Sequence, residues 1–116
     1  MAMFGSRKVT FYKRLRLIRL LVRSLSDENL WVRYHAVQAL DEIGSPRALQ
    51  GLRKMLDEDK PGWWIEDGAQ TMQELAPHYP GSDAIIDAMN NFNQGQNRAL
   101  REKAEAAIAK IESKNN

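Results

Sequence analysis

The chain has 116 residues, 43% of them hydrophobic, with 17 basic and 15 acidic side chains and a formal net charge of +2. That length fits one domain with a modest core. The absence of cysteine excludes a disulfide framework, a thiolate metal site and a cysteine nucleophile, and it accords with a reducing, cytoplasmic setting. The small net charge conceals an asymmetry. Residues 1–25 carry seven basic side chains and no acidic one, whereas residues 26–97 carry five basic and twelve acidic ones. An acidic counterpart for the first segment is implied: another protein, lipid headgroups, nucleic acid, or the chain's own middle. Arg14, Arg16, Arg19 and Arg23 interrupt what would be the apolar core of a secretory signal, and the longest apolar run there, Leu20-Leu21-Val22, is far short of a membrane span.

In chain order, residues 1–6 read as a loose start, with Gly5 and Ser6 ahead of the first periodic residue. From about Lys8 to Leu25, Phe11, Leu15, Ile18, Leu21, Val22 and Leu25 fall on one helical stripe. Lys13, Arg16, Arg19 and Arg23 gather opposite. Leu17, Leu20, Val9 and Tyr12 widen the apolar surface beyond what one neighbouring helix covers. Two readings stand: a terminal helix with solvated arginines, or a docking surface centred on Lys13, Arg16, Arg19, Leu20 and Arg23.

Ser26-Asp27-Glu28-Asn29 ends that helix, and Ser26 or Asp27 is placed to cap the next. The second helix sets Val32, Ala36, Ala39, Leu40 and Ile43 on one face, where the two alanines admit a close neighbour. Gly44-Ser45-Pro46 stops it, with glycine as a left-handed cap and proline opening a third helix to about Leu56. That helix buries Ala48, Leu49, Leu52, Met55 and Leu56. Gly51 inside it costs about 1 kcal/mol relative to alanine, which points to a close helix crossing. Asp57 to Gly62 forms a second turn, and Trp63 to Ala76 a fourth helix. Pro77, Pro80 and Gly81 enforce an irregular link. Ser82 or Asp83 caps a fifth helix bearing Ile85, Ile86, Met89 and Phe92. Asn90 to Asn97, with Gly95, reads as a polar loop; Arg98 to about Glu112 is the last helix, and residues 113–116 fray.

The pattern of the second helix returns as Leu100-Arg101, Ala104, Ala107, Ile108 and Ile111, each element displaced by 68 residues. A repeat of about 34 residues predicts an intermediate copy. A displacement of 32 lays Asp27 on Asp59, Trp31 on Trp63, Val32 on Trp64, Ala36 on Gly68, Leu40 on Met72 and Ile43 on Leu75. Six helices in three antiparallel pairs follow.

The run Leu25-Ser26-Asp27, Val32-Arg33, Ala36, Ala39-Leu40, Ile43-Gly44 and Pro46 resembles the HEAT-like repeats of the phycobilisome lyase type. The resemblance implies an all-α superhelix, a solenoid of three HEAT-like hairpins, in one domain over residues 1–116 with repeats at about 8–44, 46–76 and 82–112. It also implies that Asp27 and Arg33 serve structure, bonding helix ends and neighbouring repeats, with Arg101 in the equivalent place of the last copy. Ile65 stands where the second copy would carry its arginine.

Catalytic chemistry finds little footing. His35 and His78 lie 43 residues apart without a partner at helical spacing, so no metal face is expected. Glu66-Asp67 and Asp57-Glu58-Asp59 read as solvated turns, and the glycines occur singly, without a phosphate loop. No enzyme activity and no cofactor are expected. The aromatics say more. Trp31, Tyr34, Gln38 and Glu42 point away from the second helix's apolar stripe, and Trp63, Glu66 and Gln70 occupy the places of Trp31, Tyr34 and Gln38 in the next copy. Second helices of such a stack line its concave side, so these residues form either a protein-binding surface or, for Trp31, a ring folded back on its own repeat. The expected role is a non-catalytic scaffold or adaptor that binds another protein, with the basic helix as a second contact or a self-association surface. The alternatives are an accessory subunit of a bilin lyase or antenna-protein system, which the resemblance implies, and attachment to a membrane surface or nucleic acid through the basic helix.

Overall fold

The computed structural model describes residues 2–64 and 82–115, with side chains from Phe11 onward (Tyr12 excepted) and, in the second stretch, from Ala84 (Ile85 and Ile86 excepted). The described residues are all-α: α1 (Ala2–Ser24), α2 (Leu30–Ile43), a 3₁₀ turn (Pro46–Ala48), α3 (Leu49–Glu58) and α4 (Ser82–Lys114). Their one β feature is a parallel bridge between Asn29 and Trp63.

The ends of α2 follow from its sequence. Asn29, rather than Ser26 or Asp27, is the N-cap, its side chain accepting the Trp31 N–H at 3.0 Å. Asp27 acts one step earlier, accepting the Asn29 N–H at 2.8 Å in an Asx turn that aims the cap. Gly44 closes the helix with φ 69°, its N–H donating to the Leu40 carbonyl. Ser45 caps the short turn that Pro46 opens. Arg14 donates to the Ile43 carbonyl at 3.2 Å, so one arginine of the basic helix serves the negative end of α2.

The core runs through Ile18 and Leu25 of α1 and its following turn, Leu30, Ala36, Val37 and Leu40 of α2, Ala48 and Leu52, and Leu100, Ala104, Ala107 and Ile111 of α4. The face expected on α2 holds Ala36 and Leu40, but it is broader than one stripe. Leu30, Arg33 and Val37 are buried as well, because α2 lies between α1 and α4 and is covered on two sides.

The relation of α2 to α4 is the main result of the fold. Lys103 stands over the Tyr34 ring at 5.0 Å, and Lys110 meets Asp41 at 3.6 Å. Both pairs lie 69 residues apart, within one residue of the displacement at which the apolar skeleton recurs. The two well-formed copies are therefore parallel and side by side, Ala36 of one facing the layer that holds Ala104 and Ala107 of the other. α3 runs antiparallel to the same stretch of α4, tied at its middle by Arg53 with Glu112 and at its C-terminal cap by Asp59 with Arg101. The remainder of the expected fourth helix, and the link at Pro77, Pro80 and Gly81, lie outside the described residues.

Three expectations about where elements begin and end are also corrected. Residues 2–6 belong to α1 rather than to a loose start. Trp63 is extended and bridged to Asn29 rather than beginning a helix, since Pro61 and Gly62 carry an open backbone up to it. The expected loop Asn90–Asn97 is helix, continuous through Gly95. Its carboxamides were the source of the error: they are poor helix formers in isolation, yet Asn90, Asn93 and Asn97 fall at helical spacing and two of them bond inside the fold.

The helices also differ in reach. At 1.5 Å per residue α2 spans about 21 Å, α1 about 35 Å and α4 about 50 Å. Because Arg14 is level with Ile43, the first dozen residues of α1 run past the end of α2. Phe11, placed on the core stripe by its spacing, is consequently 54% exposed. At the opposite end α4 overshoots α2 in the same way. The radius of gyration, 18.1 Å, exceeds the roughly 13 Å of a compact domain of this size, as two overhangs require.

Two glycines separate the helical alternatives. A Cβ at Gly51 would sit 2.7 Å from Val22 Cγ1 of α1, the close crossing its presence implied, whereas a Cβ at Gly95 meets nothing within 4 Å. Gly51→Ala should therefore lower stability by about 1 to 3 kcal/mol despite its better helix propensity, and Val22→Ala should recover much of that loss. Gly95→Ala should raise stability by about 0.5 to 1 kcal/mol. Chemical denaturation of the single and double variants reads all three, and a destabilising Gly95→Ala would return that segment to a loop.

Candidate protein-binding surface

The surface is organised by an extended strap, Asp59 to Trp64. α3 ends at Asp59, which takes a left-handed conformation (φ 43°) and donates its N–H to the Met55 carbonyl at 3.1 Å. From there the strap crosses the beginning of α2. The Leu30 N–H donates to the Trp63 carbonyl at 2.8 Å and the Trp63 N–H to the Glu28 carbonyl at 3.2 Å. Arg33, 3% exposed, stands under this crossing. Its Nε donates to the Asp27 carbonyl and its Nη1 to the Lys60 carbonyl at 2.7 Å. Burial pulls its pKa down and the carboxylates of Asp27 and Glu28 push it up; the guanidinium remains a cation. Gly62 is the contact point. A Cβ there would lie 2.6 Å from the Glu28 carbonyl oxygen and 2.9 Å from Arg33 Nη2, so only glycine lets the strap come this close.

From the other side Asn93 of α4 takes the strap with both ends of its carboxamide. Oδ1 accepts the Trp64 N–H at 2.7 Å and Nδ2 donates to the Gly62 carbonyl at 2.8 Å. Asn97 secures Asn93 in turn by donating to its carbonyl at 2.9 Å. Arg101 pairs with Asp59, whose carboxylate raises the arginine's pKa through a hydrogen bond and its charge. Three separate segments thus converge on six residues of backbone.

A chain of rings surrounds the junction. Trp31 lies on His35 with centroids 4.3 Å apart, and His35 meets the edge of Tyr34 at 5.7 Å. Tyr34 meets Trp64 edge-on at 5.5 Å, and Trp64 meets Phe92 at 6.2 Å. Trp31, Trp63 and Phe92 remain 40%, 47% and 50% exposed. Beside Trp63 an open groove of about 530 Å³ is lined by Pro61, Asn90, Asn93, Gln94, Asn97 and Arg101, among others.

Of the residues expected to bind protein, Trp31 and Trp63 are exposed at this end of the molecule, and Gln38 is partly buried farther along α2. Tyr34 is half-buried against Trp64, turned toward α4 instead of away from the core. Glu66 and Gln70 lie outside the described residues, as does His78. His35 is exposed, as expected. Trp64, Phe92 and Asn93 were missed as members of the surface. The signal for them was present, since the carboxamide spacing marks a helical face and Phe92 is next to Asn93. On α1, Lys13, Arg16, Arg19, Leu20 and Arg23 are all exposed. Among the described residues no group of His, Asp and Glu is arranged to hold a metal ion, and no helix is long and apolar enough to cross a membrane.

Parallel, in-register stacking of a recurring helix, each copy backed by an antiparallel partner, defines an α-helical repeat protein. A family model of HEAT repeats matches residues 5–73, more than half the chain, and the chain belongs to that family. Repeats of this family commonly mediate protein–protein interaction. Comparison with curated proteins and with solved structures found no match.

Arg33→Leu should strand two carbonyls at the crossing and lower stability by about 2 to 4 kcal/mol in urea unfolding. Arg33→Lys should recover less than half of that, since one ammonium cannot span both acceptors as the planar fork does. Equal midpoints for wild type and Arg33→Leu would show that the junction contributes nothing.

Proposed function

We propose that this chain is a non-catalytic protein-binding module, a scaffold or adaptor, whose contact surface is the aromatic end centred on Trp31 and Trp63. The observation that carries the reading is the combination of exposure and fixity there. Trp31 and Trp63 are both open to solvent, yet the backbone that carries them is pinned by Arg33, Asn93 and the Asn29–Trp63 bridge. Large rings held on an immobile frame lose little conformational entropy on binding, which is the character of residues that dominate interfaces. Gln38, farther along α2, is a secondary contact in the same proposal.

The finer resemblance, to the phycobilisome lyase type, rests on the alanine skeleton together with Asp27 and Arg33. An accessory role beside a bilin-attaching enzyme follows from it, and a visible-absorbing tetrapyrrole co-purifying with the chain would be its mark. The lack of cysteine fits a cytoplasmic setting.

The double variant Trp31→Ala/Trp63→Ala should lose captured partners from native extract by about tenfold or more while keeping its helical circular dichroism and most of its stability. Capture of the same proteins by a folded double variant would move the binding surface elsewhere.

A further inference from the structure

The groove beside Trp63 is rich in carboxamides and balanced in charge. Its two ionic side chains, Asp59 and Arg101, are paired with each other, which leaves neither for a charged ligand. Along the α4 wall Asn90, Asn93, Gln94 and Asn97 follow at helical spacing and share one face. Asn93 and Asn97 are engaged within the fold. Asn90 and Gln94 make no hydrogen bond among the described residues, so their N–H groups are left for a ligand or for water. The other wall is the strap, where the Trp63 ring stands 47% exposed.

The strap itself shows what donors of this kind hold. Its carbonyls on either side of Pro61, those of Lys60 and Gly62, accept from Arg33 Nη1 at 2.7 Å and from Asn93 Nδ2 at 2.8 Å. An extended backbone containing proline makes no hydrogen bonds of its own, and its carbonyls are open to side-chain donors. We infer that the groove takes a second backbone of the same chemistry: an uncharged, proline-rich peptide segment in extended conformation, with a proline ring on Trp63 and carbonyls accepting from Asn90 Nδ2 and Gln94 Nε2. The inference rests on the protein-binding role given above to the aromatic end, and it names the class of partner. An aromatic platform beside side-chain donors is what recognition of such segments needs. A polyanion or a basic peptide meets an ion pair that is already closed. An oligosaccharide could stack on the ring, but peptide carbonyls are what this face of α4 already grips.

Isothermal titration calorimetry of the full-length chain with a capped decaproline peptide tests this. Capped glycine–serine, polyglutamate and polylysine peptides of the same length, and maltohexaose, are the comparisons. Decaproline should bind about tenfold tighter than any of them, and its dissociation constant should change by less than about twofold between roughly 0.05 M and 0.5 M salt. Asn90→Ala/Gln94→Ala should weaken it about fivefold or more while the urea midpoint stays at or above that of the wild type, since alanine is the better helix former. Trp63→Ala should weaken it about tenfold or more. A wild type that binds decaproline no better than the glycine–serine peptide, an affinity that Asn90→Ala/Gln94→Ala leaves unchanged, or tighter binding of a charged peptide or of maltohexaose overturns the inference. In each of those cases the Trp31→Ala/Trp63→Ala capture experiment still decides separately whether the aromatic end binds protein.

Discussion

The guanidinium of Arg33 is the constraint on which the arrangement depends. It is a cation removed from water and held by carbonyl oxygens from two sequence-distant segments, one leading into α2 and one leaving α3. Charge buried this way is tolerated only where acceptors are already oriented, and the glycine at position 62 and the Asx turn at Asp27 orient them. Loss of any of the three would loosen the other two. The aromatic end is fixed in space because this junction is fixed, and the parallel seating of α4 on α2 continues from it through Asn93.

Small side chains set the distance between layers, and directional polar contacts set their register. Ala36 on α2 and Ala104 and Ala107 on α4 allow the helices to approach, but such interfaces slide easily along the helix axis. The directional contacts stop the sliding: Lys110 with Asp41 at one level, Lys103 over Tyr34 at another, and Asn93 on the strap at a third. The two ion pairs that tie α3 to α4 are solvent-exposed and add orientation more than stability.

Much of the fold was legible in the sequence because it is periodic. The 68-residue recurrence anticipated two helices in equivalent surroundings, and the structure lays them side by side with their residues matched to within one position. Gly44, Pro46 and Gly51 announced their roles through steric rules that hold regardless of context. What resisted reading was the part fixed by tertiary contact. Local polarity placed a loop at Asn90–Asn97, since nothing nearby in sequence shows that Asn93 has a strap to hold; the repeat register, laying Trp31 on Trp63, placed a helix at Trp63, where backbone pairing with Glu28 and Leu30 prevails. Trp31 and the basic face of α1 were legible as exposed residues. Trp64 was not, because its role as the ring between Tyr34 and Phe92 exists only once α4 is in place.

All three tryptophans of the chain, Trp31, Trp63 and Trp64, sit on or beside the one strap. The protein's tryptophan emission is therefore a local signal, sensitive to the ring neighbours His35, Tyr34 and Phe92 and to the cation above Tyr34. Intensity and wavelength maximum together report whether the crossing is closed, and they do so without any attached dye.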